Sequence, residues 1–369
     1  MNQLEKTLMH GLFLHPHHNT DKNVDFKAFK ATNDKVAANR GNLLLIGPEA
    51  NDDAGVIRLP QSNGRLVKKL ESHCSPCVVR PFDSAATGVT GAARDIVAMG
   101  AEPIAITDFI GTMPSETKVL VGPCGFKGEC TCGKCVFMAS QERTNEMLRG
   151  IREACEAMDL FVVGGGFSTS FREVVPAMVI SVIGELVTPE PLTKPAKNVG
   201  DVIILIGNTG KDGNDTAFRA GLAKEMMPAI ALFEEERLTQ TGTLAALRNH
   251  PINACSDVGA AGIGAAVCES MRYGGFGAEV DLSKMPTTFT DISHAELLIN
   301  ETQARMLIQV SPSIADEVIN TIQATGAYAS KIGVVTDTKE TYFHYNNEYV
   351  ATIPNKLTEG QLEYLSKSN

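Results

Sequence analysis

No apolar run approaches the roughly 18 residues of a membrane-spanning helix. The longest runs, Ala177–Ile183 and Val202–Ile206, are strand-sized. The opening Met1–Lys6 has a charge of each sign and no apolar core of signal-peptide length, so a cytoplasmic protein is expected. A basic excess is also missing: 33 Lys and Arg face 43 Asp and Glu, a formal charge of −10. A polyphosphate backbone or an anionic membrane would repel such a chain, which argues against nucleic-acid and membrane partners. A small phosphorylated ligand needs only a local cluster of donors and stays open. The sequence has no G-x4-G-K-[ST] loop, no G-x-G-x-x-G fingerprint and no G-x-S-x-G elbow. Their absence argues against P-loop, classical dinucleotide-binding and serine-hydrolase chemistry. There is no tryptophan, and no short repeat or low-complexity tract.

What is present suggests two domains. The 369 residues suffice for two cores at roughly 150 residues per domain. Three prolines within Pro189–Asn198 mark a linker and place a boundary near 190. The expected organisation is an extension over 1–42, a unit over 43–190, a second unit over 191–355 and a frayed tail over 356–369. The extension is polar and carries His10, His15, His17 and His18, which reads as a solvated segment or else as a metal or phosphate contact. Strands are expected at Asn42–Ile46, Gly55–Leu59, Leu66–Ser72, Ile104–Ile110, Ala177–Leu186, Asp201–Ile206 and Met306–Val310. Apolar positions at helical spacing predict a helix over Ser140–Met158. Phe161–Val163 reads as a strand entering a tight turn at Gly164–Gly166.

Five segments carry candidate chemistry. An inserted Gly- and Lys-rich loop, 112–138, holds Cys124, Cys130, Cys132 and Cys135 in a C-x5-C-x-C-x2-C array. Four thiols at that spacing suit tetrahedral zinc, with an iron–sulfur cluster or redox thiols as alternatives. Nine cysteines is an odd number, and a large core needs no disulfides, so reduced thiols are expected. Lys69, Glu71 and His73 alternate along a strand, placing a cation, a carboxylate and an imidazole on one face. That set suits phosphate, Mg²⁺ and proton transfer. Ala85–Asp95 reads as a Gly/Ala/Thr turn entering a helix, where amides near Thr87 and Gly88 would meet phosphate. Asn208–Asp215, with Lys211, and Asp257–Gly262 are further strand-to-loop segments with glycines and polar groups. Dispersed acidic residues beside glycine turns suggest a Mg–nucleotide site built from many segments.

The residues KLESHCSPCVVRPFDSAATGVTGAARDIVAMGAEPIAI (Lys69–Ile106), GNTGKDGNDTAF (Gly207–Phe218), CSDVGAAGIGAAVCESMRYGGFGAEVDLSKMP (Cys255–Pro286) and LLINETQARMLI (Leu297–Ile308) occur in one order. Together they resemble the phosphoribosylformylglycinamidine synthase family, within the aminoimidazole ribonucleotide synthetase superfamily. The resemblance covers roughly 43–340. It implies an α/β (α+β) fold: an N-terminal sheet domain that pairs into a barrel on dimerisation, and a C-terminal α+β domain. Because that family carries two such modules in one chain, this chain looks half-length and is expected to homodimerise. The implied reaction is ATP- and Mg²⁺-dependent, activating an amide oxygen by phosphorylation for attack by ammonia. Ammonia would come free or from a separate glutaminase subunit.

Thr87, Gly88 and Lys211 of the glycine-bearing segments are expected to contact ATP, and the resemblance adds Lys69 to them and makes His73 the base. It makes Glu71, Asp95 and Asp257 Mg²⁺ ligands, and Ser72, Arg94, Glu301 and Gln303 substrate contacts. The family continues Glu-Ser-His with Asn-His-Pro, whereas this chain has Cys74-Ser75-Pro76 and so lacks a second histidine. A glutamine expected near Met227–Phe233 is missing, and the cysteine loop is additional. These departures leave two rivals. One is a superfamily member with another substrate, of the kinase, selenophosphate-forming or hydrogenase-maturation kind. The other is a catalytically reduced, zinc-bearing regulatory homologue.

Overall fold

The fold is described from a computed structural model covering residues 1–14, 24–62, 64–172, 174–289 and 291–367. Two helices come first, α1 (Gln3–Leu14) and α2 (Val24–Arg40). The first unit then runs β1 (Leu44–Ile46), β2 (Gly55–Arg58), β3 (Arg65–Ser72), α3 (Pro76–Val79), α4 (Pro81–Ala98), β4 (Ala101–Gly111), β5 (Lys118–Val121), β6 (Val136–Ala139), α5 (Ser140–Met158), β7 (Phe161–Ser168) and β8 (Ala177–Leu186). Six of its strands form a mixed sheet in the order β1-β2-β3-β8-β4-β7, while β5 and β6 pair as a separate hairpin. The apolar sides of α4 and α5 bury Ala85, Val89, Ile96, Met147 and Ile151 against Val67, Ile106, Ile180 and Val182. Each fully buried aliphatic side chain of this kind contributes about 1.5–3 kcal/mol.

The second unit runs β9 (Val202–Ile206), α6 (Asp215–Arg219), α7 (Phe233–Asn249), β10 (Ala254–Asp257), α8 (Gly262–Gly274), β11 (Gly277–Asp281), α9 (His294–Ile299), β12 (Met306–Val310), α10 (Ala315–Gln323), β13 (Ala329–Thr336), β14 (Glu340–Tyr345), β15 (Glu348–Pro354) and α11 (Glu359–Ser366). Its seven strands order as β10-β12-β9-β13-β11-β14-β15. Among the described residues no helix is long and apolar enough to cross a membrane.

Several local expectations change. The N-terminal segment is not simply solvated. Leu4, Leu8, Met9, Leu12 and Phe13 form a helical stripe buried in the core of the second unit. Average polarity hid that stripe. His10 lies on α1, whereas His15, His17 and His18 lie outside the described residues. The tail is not frayed up to residue 367. Thr358 and Gln361 cap α11 reciprocally, and Leu365 is fully buried. The glycine run does not turn: Gly164, Gly165 and Gly166 sit inside β7, paired in parallel with Thr107, Asp108 and Phe109. A side chain at Gly166 would fall 2.9 Å from the Phe109 ring, so glycine suits the strand there. The proline-rich connector is anchored, with Lys194 and Ala196 buried.

Candidate functional site

A cleft of about 590 Å³ is lined by residues of both units. Strand β3 supplies one wall. Its alternation turns Val67, Lys69 and Glu71 inward and leaves Lys68, Leu70 and Ser72 exposed. Helix α4 adds Arg94 and Asp95 one turn before its end, β10 ends on Asp257, and the loop before β2 brings Asp53.

Lys69 is the hub of the charges. Its Nζ lies 2.8 Å from Asp95 Oδ2 and 3.4 Å from Glu71 Oε2, and donates to the Asp53 carbonyl at 3.0 Å. Burial disfavours the ammonium, but Asp95 and Glu71 outweigh that and hold its pKa above the ordinary lysine value. A carboxylate oxygen from each of Asp53, Asp95 and Asp257 lies within 4.8 Å of the others. Burial, then the neighbouring acids, raises Asp95 despite Lys69, and pushes Asp257 up to about 6. Asp53 Oδ2 is buried and makes no hydrogen bond among the described residues. Three crowded, desolvated carboxylates with an orphaned oxygen fit a hard divalent cation, which takes oxygen ligands and relieves their repulsion.

His73 follows the end of β3 and is half-buried at the cleft wall. Its Nδ1 lies 2.9 Å from the Ser84 carbonyl. A carbonyl only accepts, so Nδ1 carries the proton and Nε2 holds the free lone pair. Burial lowers the His73 pKa although Glu71 and the Ser84 bond oppose it, which keeps the ring neutral at pH 7.

The cleft lining includes most of the expected residues: Lys69, Glu71, Ser72, His73, Thr87, Arg94, Asp95, Asp257, Glu301 and Gln303. Their environments alter some of the roles. Arg94 is buried, paired with Glu236 of α7, and donates to Gln303 Oε1 at 2.9 Å. It ties the two units together before any ligand arrives. Glu301 accepts from Thr216 Oγ1 at 2.7 Å and from the Ala261 amide at 2.8 Å, bracing the loop before α8. Glu71 stands beside the carboxylate trio, paired with Lys69, and Asp53 takes the third place in it.

Two expectations need correcting. The supposed phosphate turn at Thr87 and Gly88 is the interior of α4, so its amides are spent on helix hydrogen bonds. Gly88 serves a close approach instead: a Cβ there would lie 3.3 Å from the His73 ring and 2.9 Å from Met178 Cε. Lys211 is absent from the cleft lining; it pairs with Asp291 at 2.5 Å beside the Phe289 ring. Sequence reasoning also missed Asp53, Lys194 and Glu236. Lys194 Nζ lies 3.5 Å from Asp53 and 3.2 Å from Glu269, which puts the connector in the site. An acidic pair before a glycine was the only local signal for Asp53, and nothing distinguished Glu236 from its two glutamate neighbours.

The cysteine loop gathers Cys124, Cys130, Cys132 and Cys135, whose sulfurs all lie within 4.8 Å of one another. All nine cysteines are free thiols.

Comparisons with known proteins agree with this architecture. The AIR synthase related protein N-terminal domain matches residues 51–186, and the AIR synthase related protein C-terminal domain matches 198–346. The phosphoribosylformylglycinamidine synthase subunit PurL of Prochlorococcus marinus (strain MIT 9301) is 32% identical over 328 residues, covering 85% of this chain and 39% of that protein. PurL of Methanosarcina mazei is 30% identical over 330 residues, covering 87% and 43%. This chain therefore spans about two fifths of the length of these curated relatives. Thermotoga maritima PurL complexed with FGAR superposes with a TM-score of 0.73 at 22% identity, covering 96% of this chain and 52% of that one. The same protein complexed with ATP gives 0.71 at 21% identity, with 96% and 52% covered. A chain of a HypE–HypF complex gives 0.61 at 16% identity, with 89% of this chain and 99% of that one covered, so a chain matched over nearly its whole length shares the fold.

Proposed function

The chain belongs to the AIR synthase related family, as a half-length relative of PurL, and from that premise we propose an ATP- and Mg²⁺-dependent C–N ligase. The proposed substrate is the formylglycinamide ribonucleotide of PurL, or an amide of the same class. One observation carries this reading: the Asp53–Asp95–Asp257 trio beside Lys69 and His73 in a cleft shared by both units. Mg²⁺ bound there would neutralise the triphosphate. Lys69 would contact the phosphates, and the amide oxygen would displace ADP from the γ-phosphoryl group. Ammonia then attacks the activated carbon, phosphate leaves, and neutral His73 accepts the proton that nitrogen sheds. Ser72, Glu301 and Gln303 would bound the substrate pocket. Arg94 holds its two partners in place and acts on substrate chiefly through Gln303.

Zn²⁺, ahead of an iron–sulfur cluster, is proposed for the four cysteines. Homodimerisation is proposed through the first sheet, which exposes Leu70, Phe109, Phe161 and Val163 and ends on the open edge of β7. A separate glutaminase or free ammonia supplies nitrogen, and the cytoplasm supplies ATP. The test is phosphate release measured with Mg–ATP, formylglycinamide ribonucleotide and ammonium. Turnover should require all three, with stoichiometric ADP. ATP binding without stimulation by that ribonucleotide sinks the purine substrate, and no Mg–ATP binding at all sinks the ligase.

A further inference from the structure

The cysteine loop takes no part in the carboxylate cluster, yet it touches the cleft. It leaves β5 at Gly122, whose amide donates to the Val78 carbonyl of α3 at 3.1 Å. Gly122 has φ +135°, and a Cβ there would lie 2.8 Å from Cys135 Sγ. Only glycine lets the two ends of the loop close on each other. The sulfur separations are 3.3 Å for Cys124–Cys132 and 3.7 Å for Cys132–Cys135. Four thiolates around zinc at about 2.3 Å stand about 3.8 Å apart, so the cluster already has the size of a tetrahedral site. The amides of Cys124 and Lys134 donate to Cys135 and Cys132 sulfurs at 3.3 and 3.4 Å. Such outer hydrogen bonds orient and stabilise metal-bound thiolates.

Between the first two cysteines, Gly125–Lys127 makes one 3-10 turn packed on α3, with the Gly125 Cβ position 2.5 Å from Val78 Cγ1. That docking sets Phe126 in the lining of the same cleft as Pro76, Val79 and Arg80, with the residue 47% exposed. Helix α3 begins three residues after His73. Within it Cys77 donates to Ser84 Oγ at 3.2 Å, and the Ser84 carbonyl fixes His73 Nδ1. The loop therefore bears on the cleft rim and on the segment that carries the imidazole.

We propose that zinc held by Cys124, Cys130, Cys132 and Cys135 locks this loop so that Phe126 walls the cleft, which makes ligand affinity metal-dependent. The proposal rests on the cleft being the Mg–ATP and substrate site. Four cysteine ligands leave no open coordination position, so the ion acts by position and Phe126 is a positioning residue. Metal removal leaves a glycine-rich segment without its cross-links, and the apolar wall is lost.

The chain has no tryptophan, so Phe126→Trp supplies a single reporter. Protein purified under reducing conditions should hold about one zinc per chain. Chelation, or Cys130→Ser with Cys132→Ser, should raise acrylamide quenching of the introduced indole. With Phe126 in place of the indole, either should weaken binding of Mg–ATP or formylglycinamide ribonucleotide about tenfold, or about 1.4 kcal/mol. Phe126→Ala should reproduce the weakening with zinc retained, and zinc added back should restore the chelated protein. Less than about half an equivalent of zinc overturns the proposal. So does zinc whose removal changes neither quenching nor affinity, which would make the ion purely local. If neither ligand binds even the zinc-loaded protein, the substrate reading fails. The indole then still decides the lock: a metal-dependent response supports it and an unchanged one overturns it.

Discussion

The cleft and the cysteine loop both bring reactive groups together, by opposite routes. The loop gathers its four thiols from Cys124–Cys135, so local turns suffice. The cleft gathers Asp53, Lys69, Asp95, Asp257 and Glu301 from segments far apart in the chain, and only two packed sheets and their helices can hold those together. A locally built site can be lost without unfolding the protein. A site built by the fold shares its residues with the fold, as the buried Arg94–Glu236 pair between the units shows.

That contrast orders the expected effects. His73→Ala should cut steady-state turnover by roughly 10²–10⁴-fold with little change in Tm, because general-base catalysis supplies that much. An unchanged rate would remove His73 from the chemistry. Arg94→Met leaves the Glu236 carboxylate buried without its partner. Chemical denaturation should then show a loss of about 3–5 kcal/mol, with weaker ligand binding alongside. A loss below about 1 kcal/mol would make Arg94 a ligand contact and not a tie between units.

Glu5→Gln probes another tie made by the fold. Burial opposes the Glu5 charge, but hydrogen bonds from Tyr349 and from the Thr352 and Asn2 amides hold its pKa below the ordinary glutamate value. The carboxylate thus stabilises the fold above its unfolded pKa, and the contribution fades as pH falls through the lowered folded value. The substitution should cost about 1–2 kcal/mol at pH 7 and less at pH 3. A cost independent of pH would assign it to packing. Cys132→Ser should lose zinc yet shift global stability by less than about 1 kcal/mol, since the loop adds little to either core. A large loss would erase the contrast between the two regions. Lys211→Ala should leave ligand affinity within about twofold, as a surface ion pair outside the cleft contributes little.

Long periodic elements were legible without the structure. Ser140–Met158 matches its helix range because one face is apolar at helical spacing, and Ala177–Leu186 and Met306–Val310 match theirs because they are apolar runs of strand length. Glycine-rich segments were not. Thr87–Gly88 and Gly164–Gly166 lie inside a helix and a strand, where glycine serves a close approach to His73 and to Phe109. Local preference cannot tell a turn from such an approach. Asp53, Lys194 and Glu236 were invisible for a related reason: each acts through a partner more than ten residues away.

By itself the sequence determined the residue types for metal–phosphate chemistry, the two-unit organisation and the thiol array, since spacing and alternation are local properties. Only the tertiary structure decided which carboxylates converge, that Arg94 faces inward to Glu236, that Lys211 stays outside, and that Phe126 reaches the cleft wall. The physical reason is burial. Desolvation in the cleft raises the cost of an uncompensated charge, so Lys69 and Arg94 are held by carboxylates brought near them only by the fold.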